Sequence, residues 1–235
     1  MEEARTLGII GGIAPESTIE YYRLIVASYR AARPDGGYPH LIINSIDLKK
    51  LLDLVAGSRL AELTAYLAAE VTKLAAAGAD LGLLASNTPH LVFEGLRERS
   101  PIPLISIVES ACAATRALGL TRVALLGTRF TMEARFYPDV FSASGITVVV
   151  PTAEERAYVH DRYMGELVQG TFRAATRRHI AMIVDRLIER DHIQGVVLGG
   201  TELPLLFREG TATRVPFLDT TRIHAERAVA ELLSA

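Results

Sequence analysis

Two stretches of this chain, Gly78-Ala-Asp-Leu-Gly-Leu-Leu-Ala-Ser-Asn-Thr-Pro-His-Leu-Val-Phe93 and His192-Ile-Gln-Gly-Val-Val-Leu-Gly-Gly-Thr-Glu-Leu-Pro-Leu-Leu-Phe207, align without a gap at a constant offset of 114 residues. Each runs on into a proline-led apolar segment, Pro103-Leu-Ile in one case and Pro216-Phe-Leu in the other. A second pair, Leu7-Gly-Ile-Ile-Gly-Gly12 and Val123-Ala-Leu-Leu-Gly-Thr128, precedes the first in the same order, and Tyr21 and Tyr137 each follow nine residues later. A single match between apolar runs is ordinary, but two pairs in the same order signal an internal duplication. Each half therefore supplies two strand-to-loop junctions of the same two kinds.

The runs Thr6–Ile10, His40–Asn44, Leu81–Ala85 and Pro103–Ile107 form one set, and Arg122–Leu126, Thr147–Val150, Val196–Leu198 and Val215–Leu218 a second. Short segments that are apolar at nearly every position suit a parallel sheet covered on both faces. Between them, Leu60, Leu63, Leu67, Val71 and Leu74 recur at helical spacing up to Gly78, and Ile180, Ile183, Val184, Leu187 and Ile188 do the same in the second half. The expected fold class is α/β, with two pseudosymmetric lobes, each a parallel-sheet α/β sandwich. The first lobe is placed at residues 1–116, with a C-terminal helix, 222–235, packing back on it, and the second at 117–221.

The formal net charge of −2 offers no basic footprint for nucleic acid. No apolar run approaches the roughly 20 residues that span a bilayer, so no membrane partner is expected. One cysteine, Cys112, rules out an intrachain disulfide and a cysteine-built zinc site. It falls in a helix expected over Glu109–Leu118, as a small buried hydrophobe. The histidines show no metal-ligand spacing, and no metal is expected. The acidic start lacks a signal-peptide core, which makes the expected location cytoplasmic.

Open parallel sheets bind ligands beyond the carboxyl ends of their strands. Four loops meet that condition: Gly11-Gly12-Ile13-Ala14-Pro15, Ser86-Asn87-Thr88, Gly127-Thr128 and Gly200-Thr201-Glu202. Their small hydroxylated side chains and backbone N–H groups suit carboxylates. None fits a nucleotide fingerprint. Asp47 and Lys50, after the second strand, are either a solvated pair or a contact for a substrate's charged ends.

Five stretches carry a wider likeness: Leu7-Gly-Ile-Ile-Gly-Gly-Ile-Ala-Pro-Glu-Ser-Thr18, Ser86-Asn87-Thr88-Pro89-His90, Leu126-Gly-Thr-Arg-Phe-Thr-Met132, Gly199-Gly-Thr-Glu-Leu-Pro204 and Asp219-Thr-Thr-Arg-Ile-His-Ala-Glu226. Over nearly its whole length the sequence resembles the aspartate/glutamate racemase family. The resemblance implies a two-lobe fold, chemistry without a cofactor, a homodimer, and a site between the lobes served by one thiol from each. One thiolate removes the α-proton and the opposite thiol returns one on the other face, as racemisation requires. Carried onto this sequence, the thiol positions are Ser86 and Gly200. A serine hydroxyl is far less acidic than a thiol, and glycine has no side chain. The family's carboxylate contacts carry over to Asn87, Thr88, Thr128, Thr201 and Glu202, with Gly12, Ile13 and Gly200 completing the substrate-binding set. A lysine that some members place before the glycine corresponding to Gly170 is absent from Leu167-Val168-Gln169. The acid–base candidates are Ser86, Glu202 and His90, with a cap as the other reading of Glu202 and a structural bond as the other reading of His90. The expected function is a racemase-like isomerase or related lyase acting on an acidic amino acid or small dicarboxylate through non-thiol groups. The alternative is a relative that binds carboxylates without turnover.

Overall fold

The computed structural model describes residues 5–33, 36–207 and 214–234. The chain divides into two compact units, Met1–Ile107 with Thr221–Ala235, and Val108–Thr220. In chain order the first half runs β1 (Thr6–Gly11), α1 (Pro15–Ala32), β2 (His40–Ser45), α2 (Leu48–Ala56), α3 (Leu60–Ala76), β3 (Leu81–Leu84), a 3-10 turn (Thr88–Val92), α4 (Phe93–Arg97) and β4 (Leu104–Ile105). There follow α5 (Ile107–Ala117), β5 (Arg122–Gly127), α6 (Arg129–Glu133), α7 (Phe136–Ser142), β6 (Thr147–Val149), α8 (Ala153–Gly165), a 3-10 turn (Leu167–Gln169), α9 (Ala174–Asp191), β7 (Gly195–Gly199), α10 (Leu203–Leu206), β8 (Phe217–Asp219) and α11 (Thr220–Leu233). The class is the one expected, α/β with a four-stranded parallel sheet in each lobe.

The first unit's sheet has the order β2-β1-β3-β4. Side chains alternate across a strand, so β1 sends Leu7 and Ile9 to one face, where Leu81 and Leu83 of β3 join them. Tyr21, Ile25 and Tyr29 of α1 and Ala225, Ala228, Val229 and Leu232 of α11 pack on that face. Gly8 faces the other way and meets Leu74 of α3, whose Leu63, Leu67 and Val71 are buried along the same stripe. Helix α11 is therefore part of the first unit's core.

The second unit repeats the order as β6-β5-β7-β8. Ala124 and Leu126 of β5 and Val196 and Leu198 of β7 meet Val159 and Tyr163 of α8 and Ile180, Ile183, Val184 and Leu187 of α9. Helix α8 starts on a capping box, in which Thr152 accepts from the Glu155 amide and Glu155 accepts from the Thr152 amide. Helix α5 groups with this unit from Val108 onward, earlier than the boundary at 116 read from the sequence. The reason is packing, since Cys112 in α5 sits with its Sγ 3.8 Å from the Val140 carbonyl of α7. The fourth strand is also shorter than Pro103–Ile107, because Ile107 already begins the helix.

Truncation of a fully buried side chain removes its transfer free energy and leaves a cavity. Leu67→Ala and Ile183→Ala are each expected to lower unfolding free energy by about 2–5 kcal/mol in urea titrations. Leu60→Ala, at a position 43% exposed at the start of α3, is expected to change it by less than about 0.5 kcal/mol. Equal losses at Leu60 and Leu67 would contradict the assignment of the α3 stripe.

Candidate active-site loops

In the first unit the loops after β1 and β3 are neighbours at the carboxyl end of the sheet and are tied to each other. The Ala85 amide donates to the Ile10 carbonyl at 2.9 Å. Ser17 Oγ lies 2.8 Å from the Ala14 carbonyl and 3.1 Å from that of Ala85. The Gly12 amide donates to Thr18 Oγ1 at 2.8 Å. Gly12 has φ +82°, and a Cβ there would lie 2.4 Å from the Ile46 carbonyl, so only glycine fits. Gly12 and Ile13, both buried, thus belong to a fixed backbone turn rather than a free arm.

Ser86, Asn87 and Thr88 follow and are all buried. Two residues on, the His90 ring is stacked on Phe93 with centroids 4.6 Å apart. The Ile107 amide donates to His90 Nε2 at 3.2 Å, so the ring proton resides on Nδ1, which faces the Ser86 carbonyl at 3.1 Å. Burial, reinforced by the neighbouring His224 ring, pushes its pKa down to about 3. His90 was an acid–base candidate from its sequence position. With both nitrogens bonded to backbone, the neutral ring instead holds the loop at Ser86.

His224 of α11 completes the support. Its Nε2 faces the Ile105 carbonyl at 2.9 Å and must carry the proton, which leaves Nδ1 to accept from the Tyr21 hydroxyl at 2.7 Å. Burial pushes its pKa down to about 4. No spacing in the sequence links His224 to Tyr21 or His90.

In the second unit the loops after β5 and β7 are likewise adjacent. Thr128 caps α6, its Oγ1 accepting from the Thr131 amide at 3.2 Å. Its hydroxyl is thus already engaged locally. Gly200, Thr201 and Glu202 are buried beyond β7. Thr201 Oγ1 donates to Glu202 Oε2 at 2.9 Å, and the Tyr163 hydroxyl of α8 donates to the same oxygen. Glu202 also stands at the N-cap position of α10 but makes no side-chain cap bond. Burial first, and then the Glu202 carboxylate, raise the Tyr163 pKa well above the usual phenol value. Sequence reasoning missed Tyr163, which lies 39 positions from Glu202 on another element.

Elsewhere, Asp47 is the N-cap of α2, accepting from the Lys49 and Lys50 amides, and Lys50 Nζ lies 4.0 Å from the Tyr66 ring centroid. Each of the two thus makes a local structural contact. Cys112 is buried. Among the described residues no group of three or more His, Cys, Asp or Glu could hold a metal ion, and no helix is long and apolar enough to cross a membrane.

Both buried histidines bind a proton far less readily folded than unfolded, where the value is near 6.5. The unfolded chain therefore takes up protons first as pH falls. Their stabilisation is complete above about pH 6.5 and is lost as pH falls toward 4, at up to about 1.4 kcal/mol per pH unit for each ring. Urea unfolding between pH 7 and 4.5 should show this slope, flattened in His224→Gln. A variant slope equal to the wild-type one would show that His224 is not held neutral.

The family profile of Asp/Glu/hydantoin racemases matches residues 10–228. The broad specificity amino-acid racemase RacX of Bacillus subtilis (strain 168) is 22% identical over 97% of this chain and 98% of its own length. An aspartate racemase homologue from Pyrococcus horikoshii OT3 superposes with a TM-score of 0.83 at 35% identity, covering 98% of this chain and 100% of that one. An Asp/Glu racemase candidate from Yersinia pestis gives 0.88 at 31% identity with the same coverage. With its paired parallel sheets and strand-end loops, this chain belongs to the Asp/Glu/hydantoin racemase family.

Proposed function

We propose that the chain is a cofactor-independent, amino-acid racemase-like isomerase, or a related lyase, acting on an acidic amino acid or small dicarboxylate through groups other than thiols. The observation that supports this most is the buried Tyr163–Glu202–Thr201 cluster at the end of β7. It supplies a carboxylate, rigidly held, in the loop that the family's motif assigns to proton transfer. The names of the relatives, aspartate racemase homologue and broad specificity amino-acid racemase, support the substrate class.

In this reading Asn87 and Thr88, with the backbone amides around Gly12, Ile13, Thr128, Gly200 and Thr201, bind carboxylate and stabilise the enolate-like anion formed at the α-carbon. Glu202 exchanges the α-proton. Ser86 holds the first-lobe thiol position and acts as a hydroxyl donor, weaker than a thiol as an acid. His90 contributes by fixing the Ser86 carbonyl. We further read the protein as a cytoplasmic homodimer.

A second reading, a carboxylate-binding relative without turnover, is favoured by the absence of any side chain at Gly200. Deuterium exchange separates the two. The protein is incubated in deuterated water with aspartate, glutamate or succinate, and the recovered compound is analysed for α-deuterium. Incorporation that falls at least about 100-fold in Glu202→Gln is the expected result. No incorporation with any of the three, alongside retained thermal stabilisation by one of them, would overturn the enzyme reading in favour of the binding protein. Undiminished incorporation by Glu202→Gln would remove Glu202 from its role.

A further inference from the structure

Gly200 has no room for a side chain. A Cβ built there lies 2.4 Å from Tyr163 Cε2, 2.9 Å from Cζ and 3.0 Å from the hydroxyl oxygen, so the obstacle is a ring rather than backbone. That ring is seated in the second unit's core with Val159, Leu167 and Leu203, which limits how far it can turn aside. The same residue reaches the loop at a second point, since its hydroxyl donates to Glu202. Tyr163 thus covers Gly200 with its ring and fastens Glu202 with its tip.

We propose that Tyr163 is the positioning residue of this loop, filling the space that a side chain at 200 would take and holding the Glu202 carboxylate in its place. The proposal rests on the reading of Glu202 as the proton-exchanging carboxylate of the loop, but its test does not depend on turnover. A hydrogen bond from a hydroxyl to a buried carboxylate is short and strong, because little water competes for either partner. Raised as it is by burial and by Glu202, the phenol keeps its proton and stays a donor. Glycine at 200 and tyrosine at 163 then depend on each other. Any side chain at 200 pushes the ring away, and Glu202 loses one of its donors with it. Restoring a thiol at 200 accordingly requires a smaller residue at 163.

The test is a double-mutant cycle read with a spectroscopic marker. Gly200→Ala is expected to lower Tm by about 5 °C through overpacking. In a Tyr163→Leu background the same substitution is expected to cost none of that loss, whereas in Tyr163→Phe, which keeps the ring, the loss persists. The carboxyl carbon-13 resonance of Glu202, recognised as the one missing from Glu202→Gln, should move in Tyr163→Phe and in Gly200→Ala. A purely space-filling tyrosine would leave that resonance in place in Tyr163→Phe. An unchanged resonance there, or additive Tm effects at 163 and 200, would overturn the proposal. Absence of α-deuterium exchange by the wild-type protein would instead overturn only the enzymatic reading.

Discussion

Two buried imidazoles, His90 and His224, hold the Ser86–Thr88 loop and the neighbouring Ile105–Ile107 segment in place. His90 accepts from the Ile107 amide and bonds the Ser86 carbonyl. His224 accepts from Tyr21 and donates to the Ile105 carbonyl. The short segment Ile105–Ile107 is held from both sides, by one ring before the helix and one at its first residue. A proton on His90 Nε2 would set a donor against the Ile107 amide in a buried place, and burial disfavours a charge on His224 as well, so the position of the loop is bound to the neutrality of His90 and favours that of His224.

The second unit reaches a comparable arrangement with different groups. Tyr137, the counterpart of Tyr21, bonds the Thr220 side chain, and Thr220 in turn donates to the Leu198 carbonyl at 2.7 Å. Here a hydroxyl replaces an imidazole between a tyrosine and a strand-end carbonyl. The tyrosine is fully buried in both halves, while the group that relays its hydroxyl differs.

Much of this was readable in the sequence. The ungapped offset between Gly78–Phe93 and His192–Phe207 marks the third strand of each sheet and the loop beyond it, because strand length and loop length must both survive if a duplicated sheet is to keep its register. Helix α3 was readable from its stripe. What was hidden is whatever depends on contacts distant in the chain. His90 looked available for chemistry because nothing local shows that Ile107 occupies its second nitrogen. Gly200 read as a missing side chain, and only the Tyr163 ring, delivered by α8, shows that its place is filled. The unit boundary moved for a similar reason, since α5 carries no local mark of the partner it packs on.

The first unit has a break in its connectivity that bears on how such a chain comes to be folded. Its core includes Ala225, Ala228, Val229 and Leu232, and His224 beside them, yet all of these follow the whole second unit in the chain. On the ribosome, the half that is made first has that face of its sheet covered by α1 alone until α11 emerges. The second unit, Val108–Thr220, is continuous in the chain. Order of synthesis and order of completion are thus opposed in this protein. The part of that face that α11 later covers is a surface open to premature association during that interval.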